Sequence, residues 1–323
     1  MTLRLASGDP LPPIGYGFWK VPGETAADLT AAVLDAGYRH LDCACDYGNE
    51  AEVGRGLNRS LGRGVNRDDV WVTSKLWNTY HHPDHVAAAC ERSMRDLGLD
   101  YLDAYLIHFP IAQRFVDFDV RYPPGWFADP DAESPRIETE RIPVLETWEA
   151  MSRLVDRGWV RTIGVCNFGT SLLRDLTNAS ETPVSMLQVE MHPRLAQTKL
   201  RRYAQQMGIA VTAFSPLGSP SYVSLGMADQ DESLLQHPDI ASIADQVGGT
   251  PAQVLLRWAI QRGTIPIPKT ERRERLRENL AAVDLELTAE QIRVIDAMDR
   301  HRRYNDPGVF AEEAFNTFLP IYE

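Results

Sequence analysis

Short apolar runs alternate along the chain with longer stretches whose apolar residues recur every three or four positions. The short runs predict strands at Ile14–Phe18, Arg39–Asp42, Val70–Lys75, Ala104–His108, Thr162–Val165, Met186–Glu190, Ala210–Phe214 and Ile265–Ile267. The longer stretches predict helices near 25–36, 49–60, 83–97, 143–157, 171–178, 198–207, 251–261 and 272–281. Thr250-Pro251 before AQVLLRWAIQRG, with Gly263 just past its end, shows the expected Pro-first, Gly-last asymmetry. Strand and helix alternating eight times imply a parallel sheet, and 323 residues suit its closure into a (β/α)8 TIM barrel. A doubly wound sheet is the alternative. Against it, Gly15-Tyr16-Gly17-Phe18-Trp19-Lys20 lacks the third glycine of the dinucleotide fingerprint and opens no helix. LRLASGDPLPP predicts an N-terminal β-hairpin around Gly8-Asp9, ahead of the first barrel strand, where it can cover the N-terminal mouth. With no repeat and no linker, residues 1–323 read as a single barrel domain with long loops at 109–141 and 215–237 and a tail after Met298.

Composition narrows the class. Lys and Arg total 33 against 45 Asp and Glu, a net charge of −12, which excludes a basic nucleic-acid surface. Apolar residues make up 44%, enough for a large core, yet no run reaches the roughly 20 needed to span a bilayer. The N-terminus lacks a basic segment followed by an apolar one, so a soluble cytoplasmic protein, monomer or homodimer, is expected. The four cysteines, Cys43, Cys45, Cys90 and Cys166, form no CxxC pair and suit a reducing compartment. Cys43 and Cys45 share a strand face, but no second ligand pair follows, so they read as small buried side chains and no metal is expected. Arginine supplies nearly all the positive charge. The only lysines are Lys20, Lys75, Lys199 and Lys269, and each invites a question.

In a parallel barrel, chemistry sits at the C-terminal ends of the strands. There the second strand ends at Asp42 with Tyr47 soon after, the third at Lys75 and the fourth at His108. Alone, each also reads as a satisfied structural histidine or a solvated charge; four together point to a site. A phenol is a poor acid at pH 7, an adjacent ammonium lowers its pKa, and a carboxylate can hold that ammonium charged. A neighbouring histidine can orient a substrate oxygen. The set suits proton donation to a carbonyl while hydride arrives from elsewhere, and since no side chain carries hydride, a nicotinamide is implied.

These residues also carry a family resemblance. HLDCACDYGNEAEVG (40–54), VTSKLWNTYH (72–81), DAYLIHFPIA (103–112), GVCNF (164–168), LQVEMHP (187–193), TAFSPLG (212–218), IPKT (267–270) and RYNDP (303–307) resemble the aldo-keto reductases, and within them the xylose reductases. The resemblance implies that Tyr47 is the general acid, that Lys75 and Asp42 tune it, and that His108 orients the carbonyl. It implies a nicotinamide dinucleotide bound without a Rossmann domain, its ring on Phe214 and its carboxamide at Cys166, Asn167 and Gln188, with Ser215 and Leu217 following. Phe214 replaces the usual Tyr and keeps the stacking face; Cys166 replaces the usual Ser and is a weaker hydrogen-bonding group. The adenosine end falls to Lys269, Thr270, Glu271, Arg275, Glu278 and Asn279. Lys269 and Arg275 suit a 2′-phosphate, although a solvated helix start reads equally well there. Glu271 stands where xylose reductases usually carry Asn; a carboxylate accepts a ribose 2′-hydroxyl and repels a 2′-phosphate. The expected cofactor is therefore NADPH, with NADH tolerated.

The same resemblance places Trp19, Asp46, Phe109 and Asn305 around a small-molecule carbonyl substrate, with Asp46 and Asn305 meeting hydroxyls of an open-chain aldose. Ordinary packing at the barrel mouth is the plainer reading of these residues. Two alternatives stay open, a reductase of non-sugar aldehydes or ketones and a nicotinamide-binding regulatory subunit with little turnover; a third reading, a metal-dependent barrel hydrolase, does not fit. The last would want an HxH pair at the end of the first strand, which is absent, and His81, His82 and His85 lie in a loop and helix start.

Overall fold

The computed structural model describes residues 3–5, 8–310, 312, 321 and 322. They group into two compact units: Met1–Gly17, Ala32–His40 and Gln188–Asn305 form one, and Phe18–Ala31, Leu41–Leu187 and Asp306–Glu323 form the other. The predicted hairpin is present. Strand β1 (Leu3–Arg4) pairs antiparallel with β2 (Pro10–Leu11), and the turn closes through Leu5 N to Asp9 O at 3.0 Å and Gly8 N to Leu5 O at 2.9 Å. Gly8 takes φ +91°, a left-handed value that explains glycine there.

Eight further strands follow: β3 (Tyr16–Gly17), β4 (His40–Asp42), β5 (Trp71–Leu76), β6 (Leu102–Ile107), β7 (Val160–Cys166), β8 (Met186–Glu190), β9 (Ala210–Phe214) and β10 (Thr264–Pro266), ordered in the sheet as in the chain. In the unit containing Leu41–Leu187, Phe18 N donates to Asp42 O and Cys43 N to Thr73 O, Thr73 lies beside Ala104, Ala104 beside Thr162, and Ser185 N donates to Ile163 O. In the other unit, Met191 N donates to Phe214 O, and Val211 lies beside Thr264. The ring then closes: Gly15 N donates to Pro266 O at 2.9 Å and Gly17 N to Pro268 O at 3.1 Å. A Cβ at Gly15 would lie 2.8 Å from the His40 ring, and one at Gly17 would lie 3.2 Å from Ile267 O. The two glycines that mimic half a dinucleotide fingerprint thus permit the close approach of first and last strands. The fold is the (β/α)8 barrel.

Strands β5 and β6 are buried along their whole length, which is why they read as continuous runs rather than alternating ones. Helices α1 (Gly23–Asp35), α2 (Glu50–Leu61), α3 (Pro83–Leu97), α4 (Val144–Asp156), α5 (Thr170–Ala179), α6 (Thr198–Gln206), α8 (Pro251–Gln261) and α9 (Arg273–Leu280) lie within two residues of the predicted ends. Helices α7 (Pro238–Val247), α10 (Ala289–Asp296) and α11 (Pro307–Phe310) are additional. The start of α7 carries the same signals as α8: Pro238 in the first turn and Gly248 in a left-handed cap at φ +67°. The segment 215–237, expected as a loop, is folded into four 3-10 turns, from Ser219–Ser221 to Leu234–Gln236. Ile240, Ile243, Leu255, Trp258 and Ile295 pack these later helices into one core. No helix among the described residues is long and apolar enough to cross a membrane.

Candidate active site

The unit containing Leu41–Leu187 brings the four strand-end groups into one cluster. A 3-10 turn (Cys45–Tyr47), closed by Gly48 at φ +68°, follows β4 and sets Tyr47 against the end of β5. The Lys75 ammonium makes three hydrogen bonds: to Asp42 Oδ2 at 2.8 Å, to Cys43 O at 2.8 Å and to Tyr47 Oη at 3.0 Å. Lys75 is fully buried; burial works against its charge, but Asp42, Tyr47 and Cys166 outweigh it and hold the pKa above the ordinary lysine value. As expected from the sequence, Lys75 lowers the pKa of Tyr47. Burial pushes its phenol pKa up by more than Lys75 pulls it down, so the net direction is upward. The phenol therefore keeps its proton, and Lys75 makes a phenolate less costly than burial alone would allow.

His108 is buried at the end of β6, its backbone N–H bonded to Leu76 O at 3.0 Å. Its ring stacks on Phe109 at 5.0 Å and meets the edges of Trp77 at 5.1 Å and Tyr47 at 5.9 Å. Burial first, and then the Lys75 charge, hold its pKa well below the usual histidine range, so the imidazole is neutral. Asn167, at a left-handed φ of +64°, donates from Nδ2 to His108 O at 2.7 Å and accepts from Tyr322 Oη at 2.8 Å. Burial raises the Cys166 thiol pKa by more than Lys75 lowers it, so the sulfur stays protonated. Asp46, beside Tyr47 in the turn, has its carboxyl pushed up to about 7 by burial, against the pull of Lys75. Trp19 is partly exposed, with the Lys20 ammonium 4.9 Å over its ring.

Two aromatics escaped the sequence reading. Trp77 lies edge-on to Trp126 at 5.0 Å, and its indole N–H donates to Gly125 O at 2.9 Å. Trp126 also meets Phe109 at 5.2 Å, so the 109–141 loop contributes to the wall beside His108. Trp77, two residues past Lys75, was findable from its strand end; Trp126 sits in a loop with no periodicity to mark it.

The other unit holds the remaining predicted residues. Gln188 is buried on β8, and Phe214 is half-buried at the end of β9. Ser215, at φ +50°, hydrogen-bonds Tyr222 Oη at 2.7 Å, and Leu217 packs on the core nearby. Lys269 pairs with Glu271 at 2.7 Å, Thr270 O accepts from Tyr16 Oη at 2.7 Å, and Arg275 is exposed. Asn279 is buried, and the Glu278 carboxylate accepts from Thr250 Oγ1 at 2.9 Å, so Glu278 ties α8 to α9. The donor set of Lys269, Thr270 and Arg275 fits a ribose phosphate, Glu271 fits a ribose hydroxyl, and Phe214 offers a ring face. Asn305 is half-buried, its backbone N–H donating to Glu190 Oε2 at 2.8 Å. All four cysteines are free and buried, and no metal-holding group of His, Cys, Asp and Glu occurs among the described residues.

The model of the Aldo/keto reductase family matches residues 13–300. The chain is 46% identical over 309 residues to a probable NAD(P)H-dependent D-xylose reductase of Aspergillus clavatus, covering 95% of this chain and 92% of that protein. It is 43% identical over 324 residues to the protein of the same description from Aspergillus flavus, covering 99% of each. Among solved structures it is similar to the aldose reductase of Schistosoma japonicum, with TM-score 0.87, 34% identity, and coverage of 100% of this chain and 99% of that one.

Proposed function

Because the chain belongs to the aldo/keto reductase family, we propose that it reduces an open-chain aldose, D-xylose foremost, to the alcohol, using NADPH and accepting NADH. The observation that carries this reading is the single buried ammonium of Lys75, bonded at once to Asp42 and Tyr47. In the proposed reaction, Tyr47 gives its proton to the carbonyl oxygen. The Lys75 ammonium, 3.0 Å away, stabilises the phenolate left behind, and Asp42 keeps that ammonium charged. His108, neutral and wedged among Tyr47, Trp77 and Phe109, orients the carbonyl oxygen. When bound, the nicotinamide supplies the hydride.

The cofactor would be held by Cys166, Asn167 and Gln188 at the carboxamide, by Phe214, Ser215 and Leu217 along its middle, and by Lys269, Thr270, Glu271, Arg275 and Asn279 at the adenosine end. Glu278 acts there through its bond to Thr250. Asn167 keeps one amide N–H beyond the one given to His108 O. Pairing with Glu271 tempers the Lys269 charge, which favours tolerance of a cofactor lacking the 2′-phosphate. For the substrate we assign Trp19 and Phe109 as walls and Asp46 and Asn305 as partners of sugar hydroxyls. The extra ring surface of Trp77 and Trp126 supports a second reading in which aromatic aldehydes are also reduced.

The test is NADPH oxidation with D-xylose. Tyr47→Phe is expected to lower kcat by about 10²–10⁴-fold while NADPH still quenches tryptophan fluorescence. Unchanged turnover in that variant would overturn the mechanism.

A further inference from the structure

Glu190 ends β8 fully buried, yet nothing in the reaction uses it. Its carboxylate gathers three groups: Oε1 accepts from Tyr304 N at 2.9 Å and lies 2.9 Å from His192 Nε2, while Oε2 accepts from Asn305 N at 2.8 Å. A buried carboxylate is costly unless hydrogen bonds satisfy it, and here both oxygens are engaged. Two consecutive backbone N–H groups, 114 and 115 residues along the chain from Glu190, are thereby pinned to one rigid group. That fixes the peptide joining Tyr304 to Asn305, and with it the direction in which the Asn305 side chain leaves the backbone.

The preceding residues have their own anchors. Arg302 Nε donates to Glu232 Oε1 at 2.9 Å and Nη2 to Met227 O at 3.0 Å. The Tyr304 ring stacks on Tyr222 at 5.5 Å, and Tyr222 Oη in turn meets Ser215 Oγ. These contacts hold the segment in place. Simple attachment of the segment needs no buried charge; aiming two adjacent N–H groups calls for an acceptor with two oxygens in one plane, which a carboxylate supplies and an amide does not.

We propose that Glu190 is a positioning residue for the substrate, setting preference for polyhydroxylated aldehydes by fixing the backbone of Asn305. This rests on the reading that Asn305 meets a sugar hydroxyl. The experiment compares D-xylose with benzaldehyde at saturating NADPH, measuring kcat, KM and thermal midpoint for wild type, Glu190→Gln, Glu190→Asp, Asn305→Ala and the double variant Glu190→Gln/Asn305→Ala. A glutamine offers one acceptor oxygen in place of two, so one N–H loses its partner. Glu190→Gln is expected to raise KM for xylose about tenfold, with kcat for xylose and KM for benzaldehyde changing less than about twofold. Glu190→Asp, with both acceptors on a shorter arm, falls between. In the double variant the xylose-to-benzaldehyde ratio drops no further than in Asn305→Ala, because the two act through one contact.

An unchanged ratio in Asn305→Ala overturns the reading of Asn305, and the inference with it. A shifted ratio in Asn305→Ala with none in Glu190→Gln overturns the inference alone, as do equal losses on both substrates. Should Glu190→Gln fail to fold, Glu190→Asp is read instead, with a smaller rise in KM for xylose expected in the same direction; failure of both would make Glu190 a residue of the fold and overturn its role in selectivity.

Discussion

Glu50 gives the sharpest test of the electrostatics beneath the site. It opens α2 three residues after Tyr47, is only 3% exposed, and accepts from Ser74 Oγ at 2.5 Å and Ser93 Oγ at 2.9 Å. Ser74 directly precedes Lys75. Burial pushes the carboxyl from 4.5 up to about 7, with Asp96 adding to the rise and the two hydroxyls and Lys75 opposing it. The sign follows from linkage. Between pH 4.5 and 7 the folded protein keeps a proton that the unfolded chain has released, so stability falls as pH rises and the loss levels off above pH 7. At 1.36 kcal/mol per unit, the full cost is about 3 kcal/mol, of which about 2.5 kcal/mol accrues between pH 5 and 8. Glu50→Gln removes the titration while keeping the shape: the amide oxygen accepts from one serine and the amide nitrogen donates to the other. Relative to wild type, Glu50→Gln should therefore gain about 2.5 kcal/mol in stability on going from pH 5 to pH 8, measured by urea unfolding. The other titrating groups are common to both proteins and cancel in the difference. A stability difference that stays the same at pH 5 and pH 8 would refute the argument, since it would mean that the Glu50 carboxyl ionises alike in the folded and unfolded chains.

Two further predictions concern the site. Lys75→Met strips the Asp42 carboxylate of its buried ammonium and should cost about 3–5 kcal/mol in unfolding free energy together with turnover. Adding Asp42→Asn should restore stability but not turnover; a Lys75→Met variant as stable as wild type would count against the pair. Glu271→Asn frees Lys269 from its 2.7 Å partner, so the ratio of kcat/KM for NADPH to that for NADH should rise about tenfold. An unmoved ratio would remove Glu271 from cofactor selection.

What could be read in advance follows the range of the forces involved. Strands buried on both faces announce themselves as largely apolar runs, so a titratable residue closing such a run is conspicuous; Lys75 and His108 stand out this way, and the structure brings them together with Asp42 and Tyr47. Helix α7 carries legible signals in Pro238 and Gly248, yet it follows 215–237, whose Pro and Gly read as loop. The lowering of the Tyr47 pKa by Lys75 is legible at the strand end, but the net upward direction is not, because the burial that outweighs the ammonium comes from the packed whole.

Glu190 shows the same limit from the other side. Within LQVEMHP it reads as one more strand-end carboxylate, and nothing local separates it from Asp42. Their partners differ: Asp42 meets a side-chain ammonium 33 residues away, whereas Glu190, besides its near neighbour His192, meets backbone N–H groups 114 and 115 residues away that every residue type except proline carries. A carboxylate that pairs with a lysine leaves a mark in the composition, since the chain has four lysines in all. One that pairs with backbone leaves none. Residues that aim a site through main-chain hydrogen bonds are therefore the class that sequence reading loses first, and they become visible only when the fold shows which backbone N–H groups a buried carboxylate gathers.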